Sequence, residues 1–129
     1  MVDGLENIGG CGGGGGKAWV SQLRKGLVEL LVLAALRQRE AYGYQLLQRL
    51  AILNGITLTE STIYPVLARL AEEQCVAVRQ EPSPNGPPRR YYRLTAVGQA
   101  RLQEMLQQWR KINESIENLT KSNWPGENV

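Results

Sequence analysis

The chain has 129 residues, a length that suits one domain with an appended helix, and its net charge is +3. It contains no histidine, and its two cysteines lack the spacing of metal ligands, so the composition argues against an enzyme, a metal site or a bound cofactor. The longest apolar run, Leu30 to Leu36, is far too short to span a bilayer, and with no signal peptide pattern we expect a cytoplasmic protein without a membrane partner.

The N-terminal part combines a glycine-rich leader with a first helix. Residues 1–16 hold eight of the 14 glycines, and we predict that they are disordered. From residue 17 to 37, apolar residues recur every three or four positions, which predicts a helix. Other apolar residues widen this stripe almost all round, so the helix should be largely buried. The apolar positions are Val20, Leu23, Leu27, Val28, Leu30, Leu31, Val32, Leu33, Ala34 and Leu36.

Two further helices follow a polar connector at residues 38–41. The second is predicted over residues 42–53 and is ended by Asn54-Gly55, since glycine readily adopts the left-handed conformation of a helix C-terminus. Pro65 is tolerated only in the first turn of a helix, so the third should begin near Glu60 or Ser61, with Thr59 or Ser61 as its cap. Its buried stripe is Ile63, Val66, Leu67 and Leu70. The residues left on or near the outer face are Thr62, Tyr64, Pro65, Ala68 and Arg69.

A β-hairpin is predicted after the third helix. Its strands are residues 76–81 and 89–94, and four prolines between them surround Asn85-Gly86. We expect this proline-rich stretch to be a stiff loop that cannot pair as a sheet. Three helices and a basic two-stranded hairpin predict a mainly α fold, a winged helix-turn-helix over residues 17–95, whose third helix can lie in a DNA groove.

The basic charge concentrates in this domain. Residues 17–95 hold eleven lysines and arginines against six glutamates, whereas residues 96–129 hold four of each sign. Such a distribution favours a polyanionic partner, although a solvated basic surface explains the charge alone equally well.

The last predicted helix covers residues 96–121, is capped by Thr95 and is followed by a fraying tail at 122–129. Its apolar residues are spaced alternately by three and four, which is the seam of a coiled coil. A helix of ~26 residues spans about 39 Å, longer than a small core can cover. The seam either packs on the first helix of the same chain or, as we predict, joins two chains in a homodimer. Its members are Leu102, Met105, Trp109, Ile112, Ile116 and Leu119.

The candidate DNA contacts are hydroxyl groups and guanidinium groups. Hydroxyls of the third helix suit phosphates or base edges, Arg69 suits phosphate or guanine, and Arg89 and Arg90 suit the backbone or the minor groove. In the alternative interpretation, Tyr64 packs in the core with its hydroxyl at the rim. The predicted set is Tyr42, Ser61, Thr62, Tyr64, Arg69, Arg89 and Arg90.

Trp109 lies in the middle of the predicted dimer seam. Two facing indoles would leave a slot for a flat aromatic ligand, because aromatic rings stack favourably. We predict that Met105 and Leu23 complete this effector site. The alternative is that Trp109 fills the dimer core and no ligand binds.

Three segments resemble the PadR family of bacterial transcriptional regulators, namely residues 42–47 (YGYQLL), 60–70 (ESTIYPVLARL) and 89–95 (RRYYRLT). The single C-terminal helix is similar to that of the short subfamily, which includes a lactococcal multidrug-binding regulator. This resemblance implies a dimeric repressor that binds an inverted-repeat operator in double-stranded DNA. It also implies that planar drugs stack at the Trp109 position of the dimer centre and release the DNA.

The chain departs from the family pattern at two places. Gln74 stands where glycine is usual, and a left-handed backbone there would cost ~1 kcal/mol. The hairpin loop is also richer in proline than usual. An interpretation from another class is a winged-helix protein–protein interaction module without specific DNA binding, which a salt titration of DNA affinity would distinguish.

Overall fold

The computed structural model describes residues 15–54 and 57–121. The predictions for the leader up to residue 14, for Gly55 and for the tail at 122–129 therefore lie outside the described residues. The described part is mostly helical with a small antiparallel sheet, so the predicted fold class is confirmed. Its elements are α1 (Gly15–Leu36), β1 (Ala41–Tyr42), α2 (Gly43–Asn54), α3 (Glu60–Glu72), β2 (Val76–Ser83), β3 (Gly86–Leu94) and α4 (Ala96–Thr120).

The core lies where the first three helices meet the base of the sheet and the start of α4. The first helix begins at Gly15, two residues before its predicted start, and it is buried only from Val28 onward. The prediction that this helix is largely buried therefore holds, in a single chain, only for its C-terminal part, and Trp19 at its start is 63 % exposed. The largest fully buried side chains are Leu33, Leu36, Leu46, Ile63, Leu67, Leu70 and Leu102.

Helix α3 begins at Glu60 with Thr59 as its N-cap residue, as predicted. The Thr59 side chain does not cap the helix, because its Oγ1 is engaged with the hydroxyls of Ser61 at 2.9 Å and Thr62 at 3.1 Å. Pro65 is the sixth helical residue, so it lies just beyond the first turn where it was expected. Proline has no N–H, and the Ser61 carbonyl consequently lacks its usual intrahelical donor.

The C-terminus of α3 has a left-handed residue, at the position where the family resemblance implies glycine. Gln74 has a φ of 64°, and its backbone N–H donates to the carbonyl of Ala71 at 3.0 Å. The N–H of Cys75 donates to the carbonyl of Leu70 at 2.8 Å. Together these bonds form a Schellman motif, in which glycine is the residue usually found at the left-handed position.

The sheet has a third strand that the sequence pattern did not reveal. The strand order is β1-β3-β2, and β1 pairs Ala41 with Tyr92 and Tyr42 with Tyr91. A strand of two residues is too short to produce an alternating pattern, so residues 38–41 were expected to be a connector.

The hairpin is also longer than predicted. Its strands extend to Ser83 and start again at Gly86, with Pro84 and Asn85 as a two-residue turn. The expectation of an unpaired proline-rich loop is therefore wrong. Pro82, Pro87 and Pro88 fall in a register irregularity where the regular pairing is interrupted. This part of the hairpin is a two-stranded ribbon, since β1 reaches only Tyr91 and Tyr92, and proline is tolerated at such edges and bulges.

Helix α4 divides into a packed half and an exposed half. Thr95 caps it as predicted, its Oγ1 accepting from the N–H of Gly98 at 3.0 Å. Leu102 is only 1 % exposed and belongs to the core of its own chain, which corrects its assignment to the dimer seam. Met105 also packs against that core. The three last members of the seam are between 53 % and 61 % exposed, and they are Ile112, Ile116 and Leu119.

Candidate nucleic-acid interface

A cleft of about 880 Å³ separates the outer face of α3 from the hairpin. It lies between the side of α3 that does not face the core and the strands β2 and β3, whose residues Val78 and Tyr92 are among those that line it. Two arginines of β3 lie at its rim. The lining residues that bear on function are Tyr42, Tyr64, Ala68, Arg89, Arg90 and Tyr92.

Tyr64 projects from α3 into this cleft and is 41 % exposed. Its phenol end lies against the backbone of Gly43, where an added Cβ would be only 2.4 Å from the Tyr64 hydroxyl oxygen. Partial burial raises the pKa of Tyr64, and the nearby charge of Glu60 raises it further. The hydroxyl therefore stays protonated at neutral pH and is available as a hydrogen-bond donor. DNA contact by Tyr64 stays a prediction.

The hydroxyls at the start of α3 form a small hydrogen-bonded group. Ser61 is exposed and Thr62 is half-buried, and both are linked to the Thr59 hydroxyl. Ser61 lies three residues before Tyr64 on the helix, and Thr62 lies two residues before it. The N-terminal end of a helix is favourable for phosphate because its first N–H groups lack intrahelical partners.

The hairpin presents positive charge near its tip. The Arg89 guanidinium carbon lies 4.7 Å from the centre of the Tyr42 ring, and Arg90 is exposed at the cleft. Glu81, the cross-strand neighbour of Arg89, is paired instead with Arg79 at 3.2 Å. Within residues 15–54 and 57–121, neither Arg89 nor Arg90 has a carboxylate within 4 Å. Their charge is thus available to a polyanion.

Arg69 is not brought together with these residues. It does not line the cleft, and its guanidinium is paired with Glu29 of α1 at 2.8 Å and with Glu73 at 3.6 Å. Arg101 of α4 completes the network by bonding Glu29 at 3.3 Å and Glu73. The hydrogen bond from Arg101 lowers the pKa of Glu73, and the hydrogen bond to Glu29 raises the pKa of Arg69. The network ties α3 to α1 and α4, and DNA contact by Arg69 stays a prediction.

The three predicted effector residues lie outside the cleft, on helices that pack against each other. Met105 and Trp109 of α4 are half-buried, and Leu23 of α1 is exposed. In a single chain, these residues are at the boundary between the packed and the exposed parts of both helices. Their ligand role stays a prediction.

Several residues of the site were missed by sequence reasoning. Pro65, Ala68 and Val78 line the cleft, and Arg79 and Tyr91 stack behind Arg89. Pro65 and Ala68 are predicted on or near the outer face of the helix but not as site residues. The spacing of Tyr64 and Ala68 by four residues indicates one helix face, so Ala68 could have been included. The contacts of Arg79 depend on strand register and on β1, which the sequence pattern did not indicate.

No helix among residues 15–54 and 57–121 is both long enough and apolar enough to cross a membrane. In the same residues, no group of three or more cysteine, aspartate or glutamate side chains is arranged to hold a metal ion.

Three helices followed by a basic hairpin define a winged helix-turn-helix. Residues 32–104 match the family described as Transcriptional regulator PadR-like. The chain belongs to this family, which makes it a DNA-binding transcriptional regulator and not an enzyme.

Solved structures of related regulators agree with this assignment. A PadR family transcriptional regulator from Eggerthella lenta is 34% identical with a TM-score of 0.76, and the match covers 82% of this chain and 92% of that one. A PadR-like transcriptional regulator from Bacillus cereus is 33% identical with a TM-score of 0.67, and the match covers 78% of this chain and 98% of that one. A Streptococcus transcriptional regulator is 37% identical with a TM-score of 0.66, and this match also covers 78% of this chain and 98% of that one.

Proposed function

We propose that this chain is a cytoplasmic, homodimeric repressor that binds an inverted-repeat operator in double-stranded DNA and is released by a small planar aromatic effector. The observation that carries the DNA-binding part is the cleft between α3 and the hairpin, with two arginines at its rim that have no carboxylate partner in the described part of the chain. The family gives the class of regulator, and the geometry of the cleft supports the choice of residues.

In this proposal α3 enters the major groove with its outer face. Ser61, Thr62 and Tyr64 are then directed at phosphates or base edges, because their hydroxyls lie on the first turns of the helix. Arg89 and Arg90 reach the adjacent backbone or the minor groove from the hairpin. Most of these contacts position the protein on DNA, and the hydroxyls near the bases contribute sequence preference.

The homodimer is supported by the exposed end of α4. Ile112, Ile116 and Leu119 project from a helix that extends past its own core, and their spacing is that of a coiled-coil seam. A second copy of the chain is the partner that such a seam fits, because the same row of apolar residues meets itself about a two-fold axis. Two α3 helices are then presented to half-sites about 34 Å apart.

The effector site is proposed at the dimer centre, with Trp109, Met105 and Leu23 as its walls. Met105 and Trp109 are half-buried in one chain, so a facing copy would enclose them further. A planar ring stacked on the indole gains ~0.5–1.5 kcal/mol beyond its burial. The ligand releases DNA only if it binds more tightly to the arrangement of the two chains that does not fit the operator.

The junction between α3 and α4 provides a route for this release. The Thr95 hydroxyl donates to the Gln74 carbonyl at 2.6 Å, and the Thr95 N–H donates to the Cys75 carbonyl at 3.1 Å. Arg101 binds Glu73 at the same place. Because the start of α4 is bonded to the end of α3, a change in the tilt of α4 carries α3 with it.

A salt titration tests the proposed function. Fluorescence anisotropy would follow binding to a duplex from the chain's own promoter and to a scrambled duplex between about 50 and 200 mM salt. We expect a steep fall of log K with log salt, as released counterions require, and a much higher affinity for the promoter duplex. Equal and weak binding to both duplexes would contradict the proposal and favour a protein–protein interaction module.

The effector part has a separate test. Trp109→Ala should abolish the quenching of tryptophan fluorescence by planar dyes while operator affinity stays nearly unchanged. Trp19→Ala is the matched control, because Trp19 is an exposed tryptophan at the start of α1. Quenching that survives in the Trp109→Ala protein would contradict the effector site without affecting the DNA-binding proposal.

A further inference from the structure

We propose that Tyr42 is a positioning residue for DNA binding, and that a stack of two tyrosine side chains between two arginine side chains across the sheet holds Arg89 in place for a phosphate. The stack runs Arg79, Tyr91, Tyr42, Arg89 over all three strands. This inference rests on the proposed DNA-binding function and names the residues that organise its hairpin.

The geometry of the stack follows from strand register. Tyr91 of β3 is paired directly with Tyr42 of β1 and with Arg79 of β2, so these three side chains lie in one row on the same face of the sheet. Arg89 precedes Tyr91 by two residues, which directs its side chain to that face as well. Arg89 is therefore the diagonal neighbour of Tyr42.

Close contacts link each neighbouring pair. The guanidinium carbon of Arg79 lies 4.5 Å from the centre of the Tyr91 ring. The Tyr91 and Tyr42 rings meet edge to face, with centroids 5.3 Å apart and planes inclined by 77°. The guanidinium carbon of Arg89 lies 4.7 Å from the centre of the Tyr42 ring. All three distances fall within the range in which such pairs attract.

Arg79, at one end of the stack, is held by two carboxylates, whereas Arg89, at the other end, is available to a phosphate. Arg79 donates to Glu40 through Nε at 3.0 Å and is also paired with Glu81 at 3.2 Å. Its hydrogen bonds lower the pKa of Glu40, which therefore stays ionised at neutral pH. The Tyr42 backbone is held by an N–H bond to the Gln45 side chain at 3.2 Å. Arg89, in contrast, has no carboxylate within 4 Å in the described part of the chain.

Stacking on Tyr42 is compatible with contact to a phosphate. An arginine uses the flat face of its guanidinium to stack on a ring, and its N–H groups point outward in the plane. Holding the face against Tyr42 thus leaves the donors free and reduces the conformational freedom that Arg89 would lose on binding. The same charge on an unsupported side chain would bind less tightly.

A double-mutant cycle on operator affinity tests the inference, using Tyr42→Leu, Arg89→Ala and the double variant. Tyr42→Leu should weaken binding about two- to fivefold, the value of an exposed cation–π contact, and should add nothing to Arg89→Ala. Tyr42→Phe keeps the ring and should bind like the unaltered protein. Tyr44→Leu is the matched control, because Tyr44 is an exposed tyrosine two residues away. Additive effects of Tyr42→Leu and Arg89→Ala would overturn the positioning role.

NMR of the free protein provides a readout that does not depend on DNA. The side-chain protons of Arg89 should be shifted upfield by the Tyr42 ring in the unaltered protein and in Tyr42→Phe, and not in Tyr42→Leu. Absence of this shift in the unaltered protein would overturn the stack itself. Failure of the unaltered protein to bind any DNA would overturn the proposed function, and with it the positioning role, even when the shift is present.

Discussion

Gln74 occupies a backbone conformation that glycine adopts without steric cost. Its φ of 64° closes the Schellman motif at the end of α3, where a side chain with a Cβ is strained. We expect Gln74→Gly to raise the free energy of unfolding by ~1 kcal/mol, measured by urea denaturation. Gln74→Ala is the control, because alanine keeps the strain and removes only the rest of the side chain. An equal gain in both variants would assign the effect to the Gln74 side chain instead.

Arg90 is exposed at the cleft and has no ion pair among the described residues, so its charge is free to contact a phosphate. Arg90→Ala should weaken binding to the operator and to scrambled DNA alike, and should reduce the slope of log K against log salt by about one. Arg37→Ala removes an exposed arginine at the end of α1, outside the cleft, and serves as the control. Unchanged affinity and slope in Arg90→Ala would exclude this residue from the interface.

At the scale of elements, the start of α4 approaches the end of α3 closely, and this approach depends on the glycine at position 98. Gly98 is buried, and a Cβ added there would lie 2.1 Å from the carbonyl oxygen of Cys75. Gly98→Ala should therefore lower the free energy of unfolding by about 1–3 kcal/mol, in spite of the higher helix propensity of alanine. Thermal and urea unfolding would measure it.

Gly26 offers a matched control for that substitution. It lies within α1, and a Cβ there would meet nothing within 4 Å. Gly26→Ala should stabilise the protein by up to ~1 kcal/mol, the difference in helix propensity between the two residues. A Gly98→Ala protein as stable as Gly26→Ala would mean that α4 does not approach Cys75 this closely.

The helices could be predicted from the sequence because each has a periodic apolar face and recognisable ends. Thr59 and Thr95 followed from local rules that act within a few residues, whereas attention to Gln74 came from the family resemblance, which implies glycine there. Strand β1 and the paired proline stretch did not follow, since both depend on which strands are neighbours. Proline is tolerated in the hairpin only because the third strand stops at Tyr91 and Tyr92, a fact of topology.

The residues of the candidate site could likewise be predicted where a local pattern indicates them, but their partners from distant parts of the chain could not. Tyr64 and Arg90, two of the predicted DNA contacts, line one cleft, and their contact with DNA stays a prediction. Arg69 lies on the predicted helix but is paired with Glu29, forty positions earlier in the chain. No local pattern indicates such a partner, because it depends on how α1 packs against α3.

At the scale of the whole molecule, the proposed dimer depends on the exposed half of α4. Ile116→Lys places a charge in the middle of the apolar row, where burial of an unpaired ammonium group is costly. The variant should sediment as a monomer at micromolar concentration. Gln107→Lys adds the same charge at an exposed position outside the row and should leave the dimer intact. A dimer that survives in Ile116→Lys would locate the interface elsewhere.

The central claim is that two copies of this chain present their α3 helices to one face of a DNA duplex. Hydroxyl-radical footprinting of the purified protein on its own promoter, together with the protein-to-DNA ratio from sedimentation, measures this directly. The account predicts two protected half-sites related by an inverted repeat, with centres about 34 Å or a multiple of it apart, and two chains per site. Protection of a single half-site by one chain, or no protection at all, would contradict it.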